Sequence, residues 1–181
     1  AFREAIGLIR ERHGMKPDAV GHRFVHGGQR FRDEVAVVGD ETIPELESIA
    51  HLAPIHNPPA TAVVKACKTL YPEIEQFLVF DTAFHATIPA EAATYALSDR
   101  LRNALGIRKF GFHGISHRYV VSEAARLSGK PLDDFNAVSC HLGSGGASLC
   151  AVKNGRSVDN TMGHSPLQGL VMSTQIGRAH V

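Results

Sequence analysis

Apolar and polar residues alternate along several short stretches of the chain, which is typical of strands. Residues 19–28, AVGHRFVHGG, alternate and then reach paired glycines, so we expect a strand that ends there. Residues 75–80, EQFLVF, are almost continuously apolar, which predicts a buried strand. Three further strand candidates lie later in the chain, at 136–142, 147–153 and 156–160. Asn154-Gly155 separates the last two, and this dipeptide predicts a tight hairpin.

Helical spacing of apolar residues fills much of the remaining sequence. The predicted helices cover 1–14, 42–53, 58–71, 99–106 and 116–129. Helices and strands alternate up to about residue 136, and a meander of antiparallel strands follows. The pattern predicts an α/β fold with parts of two domains, divided where the buried strand runs into a polar, proline-containing stretch at 81–90.

Composition argues against some classes of partner and favours a particular cellular setting and kind of active site. A net charge of +1 gives no reason to expect a nucleic-acid or membrane partner, and no apolar run is long enough to span a bilayer. The three cysteines form no CxxC pair, which favours a cytoplasmic, reducing setting with all three as buried thiols. Eleven histidines are many for 181 residues and hint at a polar active site.

The glycine-rich stretch 141–150, HLGSGGASLC, has the composition of a phosphate-binding loop. No Lys follows its glycines, and a strand rather than a helix comes next, so it is not a P-loop. A glycine turn between strands can still hold an anion, because successive backbone N–H groups converge without a Cβ in the way. From the residues alone, a plain hairpin turn remains the alternative.

Two charged residues occupy positions typical of active sites. Arg23 alternates with His22 and Phe24 in the predicted strand, and its guanidinium suits a carboxylate or phosphoryl group. Asp81 follows the predicted buried strand directly, where functional carboxylates of α/β proteins often lie. The alternatives are a surface arginine and an aspartate that caps the next segment.

The segment 111–117, GFHGISH, places His113 between glycines and His117 four residues later. The glycines indicate that something approaches the His113 imidazole closely. The spacing of His113 and His117, like that of His22 and His26, allows a metal site, but no HExxH motif or Cys pair completes one. Histidines that hydrogen-bond a substrate are the preferred interpretation.

Six ordered segments together resemble the acetate kinase family, from about Asp18 to Thr174. They are AVGHRFVHGG, LAPIHNPP, FDTAFHATIP, FGFHGISH, CHLGSGGAS and SVDNTMGHSPLQGLVMST. The resemblance implies a ribonuclease-H-like, actin-like ATPase fold, with two α/β domains and the active cleft between them. Residues 1–84 would then belong to the N-terminal domain, and 85–175 would begin the second, nucleotide-binding domain.

By the same resemblance, the activity is reversible transfer of a phosphoryl group from ATP to acetate, giving acetyl phosphate and ADP. Arg23, Asp81 and His113 are the implied catalytic residues, with Asp81 near Mg²⁺. The implied substrate-binding residues are Arg23, Val25, Ile55, His56, Phe112 and Pro166. The implied contacts to the ATP phosphates are His141, Gly143, Ser144, Gly145 and Gly146. The family also implies a cytoplasmic homodimer.

The chain departs from the family pattern in three places. The family's first strand, with its phosphate turn, and the adenosine-binding part after Thr174 are absent, so we expect an internal fragment that is inactive alone. Gln175 stands where the family has arginine, and residues 176–181 match a translated sequencing adapter, which indicates a non-native tail. The glycine loop is one residue longer than usual, so either Gly145 or Gly146 is extra.

Two alternatives remain from sequence. Propionate and butyrate kinases share the same framework, although Val25 in the pocket favours the smaller acetate. A non-catalytic nucleotide-binding module of the same fold is the other, and the joint presence of Arg23, Asp81 and His113 argues against it.

Overall fold

Two three-stranded sheets organise the chain. The computed structural model describes residues 4, 7, 8, 11, 12, 14, 17–33 and 35–172. The first sheet has the order β1-β3-β2, with β1 at Ala19–Phe24, β2 at Ala36–Val37 and β3 at Glu75–Phe80. The second has the order β4-β5-β6, with β4 at Ala137–Gly143, β5 at Gly146–Lys153 and β6 at Arg156–Asn160. All five strands predicted from the pattern are present.

The first compact unit comprises Ala1–Phe24 and Val35–Val79. Helices α1, Thr42–Ser48, and α2, Asn57–Leu70, pack together, and α2 also packs against β1. The inward face of α2 carries Thr61, Val64 and Cys67, which recur every three residues because the helix turns once in 3.6 residues. Two prolines follow Asn57 in its first turn, where missing N–H groups cost nothing.

The predicted helix over 42–53 divides in two. The α-helix ends at Ser48, whose hydroxyl donates to the carbonyl of Glu45, and a 3₁₀ turn at Ala50–Leu52 follows. Pro54 disfavours the helical conformation for Ala53, which explains why the helical segment stops there.

The second compact unit comprises Val25–Glu34 and Phe80–Val181. Its elements before the second sheet are a 3₁₀ helix at Ala83–Thr87, α3 at Ala90–Ala93, α4 at Asp99–Leu105, α5 at Gly114–Leu127 and a 3₁₀ turn at Leu132–Asp134. Helix α5 packs on β4 and on the 3₁₀ helix at Ala83–Thr87. Phe84, Val121, Cys150 and Val152 form the core between these elements.

Two hairpins connect the strands of the second sheet. The β5–β6 turn places Lys153 opposite Arg156, and Asn154 and Gly155 have φ values of 52° and 71°. Both residues are therefore left-handed, as a type I′ turn requires, and the hairpin prediction is confirmed. The β4–β5 turn pairs Gly143 with Gly146, so the glycine stretch is a strand–turn–strand hairpin, as predicted.

Three sequence predictions have other outcomes. Cys67 and Cys150 are buried, but Cys140 is exposed, because on the edge strand β4 it points away from the buried neighbour Ser139; the prediction of three buried thiols is wrong. The domain ranges 1–84 and 85–175 stay a prediction. Gln175, the tail 176–181 and the apolar residues Phe2, Ala5, Ile6 and Ile9, expected on one face of the first predicted helix, lie outside the described residues.

In the part of the chain that the structure describes, no helix is both long and apolar enough to cross a membrane.

Candidate active site

The candidate site in the second unit lies where one face of α5 meets the β4–β5 hairpin. His113, which precedes the helix, His117 and Val121 follow a spacing of four residues and therefore lie along one face. On the sheet, His141 of β4 pairs directly with Ser148 of β5. Because alternate strand residues share a face, these polar side chains point toward the helix together.

Asp81 is held against the start of α5 by its backbone. The Gly114 N–H donates to the Asp81 carbonyl over 2.8 Å, and the Asp81 residue is buried. A Cβ on Gly114 would lie 2.3 Å from that carbonyl oxygen, so only glycine fits there. Asp81 and His113, predicted from separate motifs, are therefore neighbours in the fold.

His113 has a left-handed backbone, with φ 60° and ψ 22°. A non-glycine residue in this region costs about 1–2 kcal/mol, and such residues are found preferentially at functional sites. The strain is maintained by the contacts on both sides of His113, which are the Gly114 bond to Asp81 and the packing of the imidazole against the hairpin.

The His113 ring lies against the glycine hairpin. It stacks on the His141 ring with centroids 4.1 Å apart and planes 20° apart. A Cβ on Gly146 would lie 2.7 Å from His113 Nε2, whereas a Cβ on Gly145 would meet nothing within 4 Å. The two adjacent glycines thus have different roles: Gly146 makes room for the imidazole, and Gly145 lies open at the turn.

A chain of buried hydrogen bonds leads inward from His113. Its Nδ1 lies 2.9 Å from Ser148 Oγ, and the same hydroxyl lies 2.8 Å from His117 Nε2. His117 Nδ1 lies 2.9 Å from Ser139 Oγ. Burial, and to a smaller extent the nearby rings of His85, His113 and His141, lowers the pKa of His117 to about 3, so this imidazole is neutral at physiological pH.

A second buried histidine, His85, supports the residue before His113. Its Nε2–H donates to the Phe112 carbonyl over 2.9 Å, and the Ser157 hydroxyl donates to its Nδ1 over 2.8 Å. Burial lowers the pKa of His85 to about 4, only partly offset by the Phe112 bond. A Cβ on Gly111 would lie 2.8 Å from the His85 ring, so Gly111 is needed for this contact.

The glycines around His113 therefore have a different purpose from the one predicted. Gly111 and Gly114 admit the His85 ring and the Asp81 carbonyl, and the glycine that faces the His113 imidazole is Gly146, from another segment. The sequence indicated close approach correctly but assigned it to the wrong partners.

Three predicted residues lie in the first unit. Arg23 is exposed on β1 between the buried side chains of His22 and Phe24, as the strand alternation predicted. His22 Nε2 lies 2.9 Å from the amide oxygen of Gln76 on the neighbouring strand β3. Ile55 and His56 are exposed in the turn before α2, and Ile55 is 80% exposed.

The other predicted residues belong to the second unit. Val25 and Pro166 are half-buried, and Gly143, Ser144 and Gly145 are exposed at the tip of the hairpin. Phe112 is only 1% exposed, and its ring packs edge-on against His26. The second unit thus brings together Asp81, His113 and the hairpin.

The buried serines Ser139, Ser148 and Ser157 were not predicted as site residues, and His117 was considered as a metal ligand or a substrate-binding histidine, not as a buried partner of serines. Serines on inward-facing positions of otherwise apolar strands were the available signal, since a buried hydroxyl needs a partner. Among the residues that the structure describes, no group of three His, Cys, Asp or Glu side chains could hold a metal ion.

Comparison with known proteins decides the family. The acetokinase family model matches residues 9–180, nearly the full length of the chain. The chain belongs to the acetokinase family. The resemblance inferred from the six segments is therefore confirmed.

Acetokinase relatives match the chain in sequence and in structure. Acetate kinase 2 of Clostridium perfringens is 48% identical over 183 residues, which cover 98% of this chain and 46% of the relative. The crystal structure of Porphyromonas gingivalis acetate kinase superposes with a TM-score of 0.89 at 37% identity, covering 99% of this chain and 47% of that one. A propionate kinase structure from Francisella tularensis gives 0.89 at 39% identity, covering 98% and 45%.

These matches confirm the α/β fold class, as parts of the actin-like ATPase fold. The chain spans less than half the length of the acetokinase relatives it matches.

Proposed function

We propose that the protein carrying this acetokinase segment transfers a phosphoryl group reversibly between ATP and acetate, forming acetyl phosphate and ADP. The observation that carries the proposal is the meeting of His113, Asp81 and the glycine hairpin at one end of α5, in a chain of this family. Relatives named acetate kinase, 47% and 48% identical to the chain, support acetate as the acceptor.

Phosphoryl transfer to a carboxylate requires charge stabilisation rather than a general base. A carboxylate is already ionised at neutral pH, so the nucleophile needs no proton removed. The protein must instead bring two anions together and spread the charge on the moving phosphoryl group. Guanidinium, imidazole and backbone N–H groups are the donors suited to this task, and they are the groups that the candidate residues offer.

Three residues are assigned to the reacting centre. Arg23 binds the acetate carboxylate and the transferring phosphoryl group through its paired N–H donors. His113 donates from Nε2 to a phosphoryl oxygen, and this nitrogen lies on the Gly146 side of its ring. Asp81, buried beside α5, supplies a carboxylate at the same centre.

The remaining assignments follow the two substrates. Val25, Ile55, His56, Phe112 and Pro166 are assigned to the acyl group and its carboxylate. The hairpin contributes backbone N–H groups toward the ATP phosphates, and its members are His141, Gly143, Ser144, Gly145 and Gly146. Gly143, Ser144 and Gly145 are exposed at the hairpin tip, which leaves this part of the loop accessible to a nucleotide.

A magnesium ion fits this site only in part. Mg²⁺ in such enzymes is usually held by one or two carboxylates together with substrate phosphates. Asp81 is the carboxylate that would contact it, and the nucleotide would supply other oxygens. When bound, the ion would neutralise charge on the ATP phosphates.

The proposal can be tested in a full-length hybrid. Residues 18–174 replace the matching segment of the Clostridium perfringens enzyme, and acetyl phosphate is measured by the hydroxamate reaction with ATP and Mg²⁺. We expect turnover in the hybrid, none in the 181-residue chain alone, and loss of at least about 100-fold in Arg23→Ala. Arg100→Ala, an exposed arginine on α4, is the matched control. A folded but inactive hybrid would overturn the proposed function.

Propionate or butyrate is the second candidate acceptor, and the Francisella propionate kinase, which superposes as well as an acetate kinase does, favours keeping it. All the proposed acyl-contacting residues come from this chain, so the specificity of the hybrid reports on them. We expect the highest kcat/KM for acetate; a higher value for propionate or butyrate would reassign the substrate.

A cytoplasmic homodimer is proposed for the full-length enzyme, and light scattering of the hybrid tests the dimer.

A further inference from the structure

The hydrogen-bonded chain behind His113 consists of Ser148, His117 and Ser139, and we call it the serine–histidine chain. All three residues are buried, and Ser148 and His117 have no exposed surface. Ser148 is its central member, because its single hydroxyl lies within 3 Å of a nitrogen of both His113 and His117. A buried hydroxyl between two imidazoles must share one proton between two contacts.

Counting protons leaves two arrangements. His117 is neutral and has one N–H. In the first arrangement, His117 Nε2–H donates to Ser148 and the Ser148 hydroxyl donates to His113 Nδ1. In the second, Ser148 donates to His117 Nε2 and accepts from His113 Nδ1–H, while His117 Nδ1–H donates to Ser139.

A neutral His113 with its proton on Nε2 fits the first arrangement, whereas a neutral His113 with its proton on Nδ1, or a charged His113, fits the second. When His113 is neutral, the first arrangement leaves its proton on Nε2. When His113 is charged, both ring nitrogens carry protons, and the second arrangement accepts the one on Nδ1. Reversal of the Ser148 hydroxyl therefore lets Nε2 keep its proton in both states.

His113 Nε2, the outer nitrogen of the ring, faces Gly146 because Nδ1, the inner nitrogen, is held by its bond to Ser148. Nε2 is the ring atom nearest to where a Gly146 Cβ would lie. Stacking on His141, whose own Nδ1 lies 2.9 Å from Ser116 Oγ, restricts rotation of the ring. The ring is thus fixed by one directional bond and one packed face.

We infer that Ser148, backed by His117, is a positioning residue that keeps the neutral His113 as its Nε2–H tautomer, directed at the phosphoryl group. The inference rests on the proposed function for its consequence in catalysis, but its structural content concerns the imidazole itself. A phosphoryl oxygen accepts hydrogen bonds, so His113 can stabilise it only if Nε2, the nitrogen on the hairpin side, carries the proton.

The tautomer can be measured directly in the 181-residue chain. Long-range ¹H–¹⁵N correlation spectra of histidine-labelled protein from pH 5 to 8 report which nitrogen of His113 carries the proton. We expect Nε2–H in the unmodified chain, a mixture of both tautomers in Ser148→Ala, and return toward Nε2–H in Ser148→Thr, which keeps the hydroxyl. An Nδ1–H tautomer in the unmodified chain would overturn the inference even if Ser148→Ala does not fold.

Ser157→Ala is the matched control. Ser157 is also a buried serine bonded to a buried histidine, His85, over 2.8 Å, so its loss removes a similar contact elsewhere in the unit. We expect this variant to alter the His85 signals and to leave the His113 tautomer unchanged. An equal change at His113 in both variants would show a general loss of packing and would also overturn the inference.

Kinetics of the hybrid separate this inference from the proposed function. We expect Ser148→Ala to lower kcat about 10- to 100-fold with KM changed by less than about threefold, and Ser148→Thr to recover most of kcat. An active hybrid that is insensitive to Ser148→Ala overturns the positioning role. An inactive hybrid with the expected tautomer overturns the proposed function and leaves the positioning of His113 supported.

Discussion

Replacing Gly146 by alanine should disturb His113, while the same change at Gly145 should not. The new Cβ at Gly146 would lie 2.7 Å from His113 Nε2 and 2.8 Å from the adjacent ring carbon Cε1. Ordinary contacts between non-bonded heavy atoms are about 3.5–4.0 Å, so the ring would have to move by roughly 1 Å. Neither glycine has a left-handed backbone, so steric contact alone distinguishes them.

The cost can be worked out from what the ring would lose. A shift of that size weakens the 2.9 Å bond to Ser148, worth about 1 kcal/mol, and the stacking on His141. Overpacking in a filled site adds about 1–3 kcal/mol, whereas replacing glycine by alanine recovers about 0.4–1 kcal/mol from the unfolded state. Gly146→Ala should therefore destabilise the chain by about 1–3 kcal/mol. Gly145→Ala should be neutral or stabilise it by up to about 1 kcal/mol.

Urea unfolding of the 181-residue chain, followed by circular dichroism, measures both values. The histidine NMR spectrum provides a second readout, in which His113 signals should shift in Gly146→Ala only. Equal stability of the two variants, with unchanged His113 signals in both, would refute the packing of His113 against Gly146.

Two further predictions concern the support of the site and its pH dependence. Gly114→Ala would place a Cβ 2.3 Å from the Asp81 backbone oxygen, which cannot rotate away; we expect a loss of more than about 3 kcal/mol in the free energy of unfolding, and unchanged stability would contradict the proposed proximity. The folded chain holds His85 and His117 neutral, with pKa values of about 4 and 3, below the ordinary value of 6.5. The unfolded chain therefore binds more protons below pH 6.5, and stability should fall as the pH drops, by about 1.4 kcal/mol per pH unit for each histidine between about pH 6 and 4. Urea titrations at several pH values, with His117→Gln as comparison, check this; a slope that is flat, or equal in both proteins, would show that His117 is not held neutral.

The elements that depend on neighbouring residues were predicted well from the sequence. The β5–β6 hairpin follows from the alternation on both strands and from Asn154-Gly155, whose left-handed conformations are local properties. Helix ends were less predictable: α5 begins at Gly114, two residues before the start expected at Ser116. The earlier start depends on the bond from the Gly114 N–H to Asp81, which lies 33 residues away and has no local signal.

The candidate site divides in the same way. Arg23, Asp81 and His113 were predicted from motifs because their residue types, the strands at Arg23 and before Asp81, and the glycines beside His113 are visible along the chain. Ser148 was not predicted, since a buried serine looks like any strand residue until its partner is known, and His117 was noticed without its role as that partner. Their bond joins positions 31 residues apart, and it exists because the helix and the hairpin pack together.

The sequence by itself determined five of the six strands that the structure describes, most of the helices, both hairpins, the family and a list of polar residues, because these rest on local periodicity, turn chemistry and ordered motifs. Only the tertiary structure decided which side chains or carbonyls pack against each glycine and that His85 and His117 are neutral. It also decided that His113 Nδ1 bonds to the buried Ser148 while Nε2 faces Gly146. Those properties arise from burial and from contacts between distant segments. The chemistry proposed for His113 depends on them, because an imidazole can act as a directed donor only where its surroundings specify which nitrogen carries the proton.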